Sequence, residues 1–433
     1  MTRLSRRDQL LVGLTLFSMF FGAGNLIFPP FLGAQAGTDT WPAFLGFAIT
    51  AIGFPVLGVV AVAQADGLTQ LASRVHPKFA VVFTILIYLS IGPGLAIPRT
   101  ATTSFEMAVI PFVSQVPLWG RIAYSLLFFG AALLVALRPE KLTDRLGRIT
   151  GPCLLLMILV VFLACLFHAP GGYGQPGGSY TGHVVIQGFL DGYQTMDTIA
   201  ALNFGIVIAL NIRARGVTAD RLTVRSTVRA GWIAGGVLLA VYAALAHVGA
   251  LSGGAFPGAS NGAVVLAQLV GWQFGTWGSV LLGLIFVVAC LNTCIGLVSS
   301  CSEYFSTLLP RLRYPVWAVL FAALSLVLSI AGLDAILAVS TPILGAIYPM
   351  SIVLILLGLT HRRLGSRFPR VYPVAVACTG VVSVLQSLDS VKLVIPGLTA
   401  LVRLIPLYDL SLGWLLPAAA GVAAGILLSP RRS

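Results

Sequence analysis

Charge is what this chain has least of. Asp, Glu, Lys and Arg make up 9% of its 433 residues, against 58% hydrophobic residues and a mean hydropathy of +0.98. A soluble domain carries about 25% charged residues, so this chain cannot cover a water-soluble globule, and a soluble enzyme is excluded. Disorder is excluded as well, because it requires low hydrophobicity and high net charge. Catalytic signatures are missing. The histidines His76, His168, His183, His247 and His361 are isolated. No metalloprotease helix motif, phosphate loop or nucleophile elbow is present. The six cysteines, Cys153, Cys165, Cys290, Cys294, Cys301 and Cys378, lie in or beside apolar runs and imply no disulfide framework. Cys290 and Cys294, one helical turn apart, read as small packing residues, with a metal pair as the alternative. No small-residue cleavage site follows the basic start of the chain, so the first apolar run is expected to be a retained span.

What the chain has is length in apolar runs. They fall at about 9–32, 41–63, 79–109, 120–137, 149–169, 186–210, 230–250, 275–308, 314–331, 334–359, 371–388 and 410–428. At about 20 residues per span, twelve spans use about 240 residues and leave no room for a large soluble domain. Barrel strands are about ten residues long and alternate in polarity, so the expected fold is an all-α integral membrane bundle. Two further apolar pieces, 262–274 and 393–407, are too short or too interrupted to span. They are expected as segments between spans 7 and 8 and in the loop before span 12.

The net charge of +13 is accounted for by orientation. With a cytoplasmic N-terminus, 22 of the 26 basic residues fall on inside segments (3–7, 74–78, 138–148, 213–229, 311–313, 362–370 and 431–432). Only Arg99, Arg121, Lys392 and Arg403 fall outside. Cytoplasmic loops collect Lys and Arg, so both termini are expected inside the cell, and nucleic-acid binding is not needed to explain the basic loops.

Most spans read as continuous helix, but two do not. Span 1 contains Phe20-Phe21-Gly22-Ala23-Gly24-Asn25, then Phe28-Pro29-Pro30. Span 6 contains Asp191-Gly192-Tyr193-Gln194-Thr195-Met196-Asp197-Thr198. A bare backbone group facing lipid costs several kcal/mol, so such breaks persist only where they face protein, water or a ligand. The two breaks are five spans apart, at corresponding positions of halves with opposite topology. Paired interruptions of this kind point to a transporter site. A half-helix N-terminus offers N–H groups to a carboxylate, and the preceding half-helix end offers carbonyls to a small cation. In span 1 the donors are Gly22, Ala23 and Gly24, and the free carbonyls lie near Ser18 and Phe21. Span 8 adds Ala289, Asn292 and Thr293 within one turn. These three either complete a cation site or bond within their own helix.

At these residues the chain resembles the branched-chain amino acid:cation symporter family of bacteria. The resemblance rests on 21–30 (FGAGNLIFPP), 188–197 (GFLDGYQTMD) and Glu303-Tyr304-Phe305, and extends over nearly the whole chain. It implies uptake of leucine, isoleucine and valine with sodium across the bacterial inner membrane. It also implies the five-plus-five inverted-repeat fold of the LeuT superfamily: 1–169, then 170–359, then two extra helices in 360–433. By that likeness the Ser18 and Phe21 carbonyls with Ala289, Asn292 and Thr293 bind sodium, and Asn25 falls where relatives with a second sodium place a ligand. The family pattern has two threonines where this chain has Asn292-Thr293; asparagine still offers an oxygen.

Individual residues carry further expectations. Asp197, acidic at mid-span, holds the substrate amine, joins the cation site, carries a proton, or serves structure alone. Phe20, Phe21, Tyr193 and Met196 flank the breaks and are candidates for an apolar pocket, with Thr195 and Thr198 beside them. Asp191 lies nearer the rim. Glu303 pairs with Arg6 or Arg7 either as an inner gate or as a simple surface ion pair. Arg99 either closes the outer vestibule or snorkels to headgroups. Tyr88 either bonds the substrate carboxylate or is a buried aromatic. A channel and a proton-coupled carrier are the rival functions, and the oligomeric state is left open.

Overall fold

A computed structural model describes residues 4–113, 116–137, 142–217 and 219–429, without the side chains of 142–151, 153 and 154. The expectations on Arg3, Arg138, Lys141, Arg431 and Arg432, and on the side chains of Arg145, Arg148 and Cys153, lie outside the described residues. The described residues form helices and turns without strands. Among the described residues, eight helical stretches are long and apolar enough to cross a membrane.

In chain order the helices are α1 (Arg6–Phe20), α2 (Ala23–Ala36), α3 (Thr40–Ala48), α4 (Phe54–Ala65), α5 (Leu68–Ser73), α6 (Pro77–Leu89), α7 (Ala96–Ala108), α8 (Leu118–Ala136) and α9 (Leu142–Phe167). They continue with α10 (Val184–Asp191), α11 (Asp197–Ala214), α12 (Asp220–Ala255), α13 (Gly262–Leu308), α14 (Tyr314–Ser329), α15 (Leu333–Leu359), α16 (Val371–Ser390), α17 (Leu398–Arg403) and α18 (Leu415–Leu428). Local chemistry sets several starts. Ser5 Oγ accepts from the Asp8 N–H at 3.1 Å, and Asn261 Oδ1 accepts from Ala263 and Val264 at 3.0 and 3.2 Å. These are side-chain caps for otherwise unpaired donors. Proline stands in the first turn of α4, α6 and α14, where its missing N–H costs nothing.

The short apolar pieces behave as expected of them. Gly275 takes φ 62°, ψ −157° and divides α13 into 262–274 and a long second part. The loop before α18 contains α17, whose Arg403 makes a two-pronged pair with Asp389 (Nη2–Oδ1 2.6 Å, Nε–Oδ2 2.9 Å), joined by Tyr408 Oη at 2.8 Å. The last apolar run starts later than expected. Leu407 and Ser411 have positive φ, a backbone state that ends regular helix, so α18 begins at Leu415 and not near 410.

One expectation fails outright. The run 79–109 is not a continuous helix. A π-helical turn, Ser90–Gly94, interrupts it, with Gly92 at φ −100°, ψ −130° and Leu95 at φ −134°. Gly92-Pro93-Gly94 supplies the cause, because proline removes a ladder N–H and glycine tolerates the bend. This third break sends α7 into the bundle centre.

Helices approach closely where side chains are smallest. α2 lies on α12 with Gly33 against the Ala246 carbonyl and Gly249 against the Pro30 carbonyl. A methyl at either glycine would stand 2.0 Å from that oxygen. In lipid, such contact between helices replaces the hydrophobic drive. The main packing pairs include α2 with α12, α4 with α11, α1 with α12, and α3 with α10. Three of the ion pairs among the described residues gather at one end of the bundle: Asp8 with Arg215 (3.2 Å), and Arg213 with Asp66 (3.4 Å) and Asp220 (3.1 Å). Backbone bonds from Thr38 to Gly174 and from Gly177 to Gln35, both along α2's far end, tie the loop before α10 to another region.

Candidate transport site

The first break is built by one hydrogen bond that changes partners. Phe21 N–H closes the last turn of α1 on the Phe17 carbonyl at 2.9 Å. The next N–H, from Gly22, would reach back to the Ser18 carbonyl in a continuous helix. It turns instead to Asn25 Oδ1 at 3.2 Å, with Gly22 extended at φ −125°, ψ −168°. The end of α1 therefore keeps unpaired carbonyls, and α2 starts at Ala23 with its first N–H groups free of helical partners.

The second break is a 3₁₀ turn, Gly192–Thr195, closed by Met196 in the left-handed conformation (φ 63°, ψ 7°). Thr195 Oγ1 donates to the Gly192 carbonyl at 2.9 Å and accepts from the Asp197 N–H at 3.3 Å. α11 then begins on Asp197, so an acidic side chain sits at a half-helix N-terminus, the favourable end.

The two breaks meet. Asn25 Nδ2 donates to Asp197 Oδ2 at 2.6 Å. Tyr242, from the middle of α12, donates its hydroxyl to the same oxygen at 3.0 Å and is also bonded to Asn25 Nδ2. Asn25, Asp197 and Tyr242 are all buried. Thr198 Oγ1 anchors the start of α11 to the Thr50 carbonyl at 2.9 Å. Tyr242 was not among the residues the sequence singled out; a lone tyrosine in an apolar run gives no local signal.

Arg99 is found elsewhere than expected. It does not snorkel outward to headgroups. The bend at Ser90–Gly94 carries it to the centre, where it is 4% exposed. Its Nη1 donates to the Gln194 carbonyl in the second break at 2.8 Å. Its Cζ lies 5.2 Å from the Phe28 ring centroid, and a methyl on Gly24 would stand 2.5 Å from its Nη2. The guanidinium occupies the space that glycine leaves open on α2.

The candidate cation ligands lie beside the first break. A methyl on Gly22 would sit 3.4 Å from Thr293 Cγ2 and 3.7 Å from its Oγ1. Thr293 Oγ1 donates to the Ala289 carbonyl at 3.1 Å. Asn292 Oδ1 is buried and accepts no hydrogen bond among the described residues. A buried acceptor without a donor is uncommon, and a carbonyl-type oxygen in that state suits a hard cation. Ser18 itself is exposed, so only its carbonyl is a candidate.

Other expected groupings come apart. Phe20 and Phe21 do not share a pocket with Tyr193 and Met196. Phe20 packs on Phe204 (5.5 Å) and Phe21 on Phe17 (5.0 Å). Tyr193 stacks on Tyr348 (4.3 Å) in a separate apolar cluster that includes Met196. Arg6, Arg7 and Glu303 are exposed and make no ion pair among the described residues. The α1 end is held instead by Asp8–Arg215 and by Gln9 Nε2 on the Ser226 carbonyl (2.8 Å), because Asp8 and Gln9, not Arg7, face α11 and α12. Asp191 accepts from Tyr180 and from Gln187 (2.9 Å). Tyr88 stacks on Tyr304 with centroids 4.0 Å apart. Cys290 and Cys294 are free and fully buried in an apolar cluster. A groove of about 470 Å³ lined by Ile49, Phe54, Phe189, Ile352, Trp414 and their neighbours has no ionisable side chain and lies apart from the breaks.

Known proteins resemble this chain in sequence and in fold. A family model described as branched-chain amino acid transport protein matches residues 5–431. The chain is 39% identical to branched-chain amino acid permease BraB of Bacillus subtilis over 426 residues, covering 98% of this chain and 96% of that protein. It is 40% identical to the branched-chain amino acid transport system 2 carrier protein of Pseudomonas aeruginosa over 432 residues, covering 99% and 97%. Among solved structures, the inward-facing conformation of Mhp1 superposes with TM-score 0.62 at 13% identity, covering 97% of this chain and 89% of that one. That likeness shows a LeuT-like transporter fold.

Proposed function

The chain belongs to the branched-chain amino acid transport protein family, and from that premise we propose that it imports leucine, isoleucine and valine with sodium by alternating access. It is a transporter and not an enzyme. The observation that carries the reading is the meeting of two interrupted helices at Asn25, Asp197 and Tyr242. There, free half-helix ends stand beside a buried carboxylate deep in an apolar bundle.

The proposed architecture is twelve spans in a five-plus-five inverted repeat, with halves 1–169 and 170–359 and two further helices in 360–433. The packing pairs support it. Exchanging the first half for the second turns the pair α2–α12 into α11–α4, and α1–α12 into α10–α3; both members of each exchange are present. The gathering of residues 8, 66, 213, 215 and 220 at one end supports a shared cytoplasmic side for those segments, and with it cytoplasmic termini in a bacterial inner membrane.

Sodium is proposed to lie between the end of α1 and α13, on the Ser18 and Phe21 carbonyls with Ala289, Asn292 and Thr293. The partnerless Asn292 Oδ1 is what supports it. In proteoliposomes, an inward sodium gradient is expected to drive leucine above its equilibrium level. Asn292→Leu is expected to raise the sodium concentration for half-maximal uptake by about tenfold, as for loss of one bond to a charged group. Uptake that ignores sodium in folded protein rejects the sodium version. The buried Asp197 also suits a proton carrier. That reading gains if a pH gradient alone drives uptake and Asp197→Asn abolishes it.

The substrate is proposed to bind at Gly22, Ala23, Gly24 and Asn25 on one side and Thr195, Met196, Asp197 and Thr198 on the other. Tyr193, stacked on Tyr348, is the aromatic beside the second break for the branched side chain, and Phe20 and Phe21, packed on Phe204 and Phe17, are left out of the proposed pocket. Gly24→Leu is expected to displace the Arg99 guanidinium and weaken leucine binding by about a hundredfold, the scale of a 1 Å misplacement. Helix content by circular dichroism should remain as in the wild type. Unchanged leucine affinity would remove the span 1 site.

A further inference from the structure

Arg99 brings a full positive charge into the bundle and uses little of its donor capacity there. A guanidinium has five N–H donors and is always charged. Among the described residues it makes one hydrogen bond, from Nη1 to the Gln194 carbonyl at 2.8 Å. One face rests on the Phe28 ring, and Nη2 points at the Gly24 side of α2. The residue is only 4% exposed, which leaves bulk water little access to the guanidinium. A buried cation in that state is costly unless a partner arrives.

Asp197 Oδ2 is bonded to Asn25, the residue next to the Gly24 that faces Arg99, yet no direct ion pair joins Asp197 and Arg99 among the described residues. Asp197 Oδ2 is turned to Asn25 and Tyr242 instead. An acidic and a basic side chain are thus held near each other without touching, at the junction of both helix breaks. A zwitterion matches that pattern: its own two charges can be inserted between theirs. We propose that Arg99 binds the α-carboxylate of the transported amino acid, opposite Asp197, which takes the ammonium. The anchor is then a side chain from the third span, beside the first N–H groups of α2, and Gly24 is glycine so that the guanidinium can reach them. This assignment rests on the reading of the protein as an amino acid carrier.

The test is a cycle between protein and ligand. Purified full-length protein in nanodiscs is titrated with leucine and with leucinamide, whose carboxylate is replaced by a neutral amide, at fixed sodium. Wild type is expected to bind leucinamide at least about tenfold more weakly than leucine, the scale for a charge-assisted hydrogen bond. Arg99→Gln should weaken leucine by about tenfold or more but leucinamide by less than about threefold, so that the preference falls towards one. A merely structural role would weaken both ligands alike. An unchanged preference, or leucine affinity within about threefold of wild type, overturns the assignment. If Arg99→Gln does not fold, Arg99→Lys is read in the same cycle, with a reduced preference expected because a single ammonium cannot form the two-pronged contact. Wild-type affinity and preference in Arg99→Lys overturn the assignment equally. Wild-type protein that binds no branched-chain amino acid overturns the carrier reading itself. Wild type that binds leucine and leucinamide equally well overturns only the role of Arg99.

Discussion

Asp197→Asn is expected to bring leucine uptake to background and to raise the leucine Kd by at least about a hundredfold. The substitution keeps the shape of the side chain, so Tyr242 and Asn25 retain a partner on the residue that now joins them at 3.0 and 2.6 Å. What it removes is the carboxylate proposed to pair with the substrate ammonium. Breaking a buried charge pair from one side costs about 3–5 kcal/mol, since the other charge is left uncompensated. At about 1.4 kcal/mol per decade this amounts to two decades or more of affinity. Asp197→Glu keeps the charge but pushes the carboxylate one methylene further into Asn25 and Tyr242, and an intermediate loss is expected. Binding in nanodiscs and uptake in proteoliposomes, measured on the same preparations, check both. Asp197→Asn protein that binds leucine normally and still accumulates it with sodium would place the site elsewhere in the bundle.

Gly249→Leu is expected to yield no monodisperse protein at all. A Cβ on Gly249 would stand 2.0 Å from the Pro30 carbonyl oxygen and 2.5 Å from Pro30 Cα. These are backbone atoms of a helix that cannot move aside as a side chain can. Ordinary overpacking costs about 1–3 kcal/mol because neighbouring rotamers adjust. Here α2 and α12 must separate along their length, and the Gly33 contact on the Ala246 carbonyl is lost with them. Gly236→Leu on the same helix is the control. Nothing stands within 4 Å of a methyl there, and normal yield and gel-filtration behaviour are expected. Equal yields of the two variants would show that the close approach of α2 and α12 is not needed for folding. Because α2 carries Gly24 and Asn25, the same contact also holds the proposed transport site in place.

The matched interruptions in runs 1 and 6 were legible in the sequence because glycine, asparagine and aspartate inside an apolar run stand out locally. The interruption in run 3 carries the same kind of signal, Gly92-Pro93-Gly94 followed by Pro98-Arg99. It is nonetheless easily read as a bend near a membrane face, since the run around it is long and apolar. Charge counting misplaces Arg99 for a related reason. A basic residue toward the end of an apolar run has the same sequence appearance whether it snorkels outward or turns inward. The expected partnership of Arg7 and Glu303 failed at the level of helix rotation. One step along α1, Asp8 and Gln9 face α11 and α12. A pattern of helical period determines which residues share a face, and the neighbour determines which face is used.

The amino-acid sequence by itself determined that this protein lives in a bilayer, that it is helical, and that two of its helices are cut in the middle. Hydropathy, run length and helix-breaking residues are properties of short stretches, and lipid leaves the backbone few alternatives. Only the tertiary structure decided who meets at the cuts. Asn25 and Asp197 are 172 positions apart, Asp197 and Tyr242 are 45, and Arg99 reaches a carbonyl 95 positions away. Such meetings depend on the rotation and spacing of packed helices, which small residues such as Gly33 and Gly249 set through backbone contact, and no local pattern in the chain records the partner.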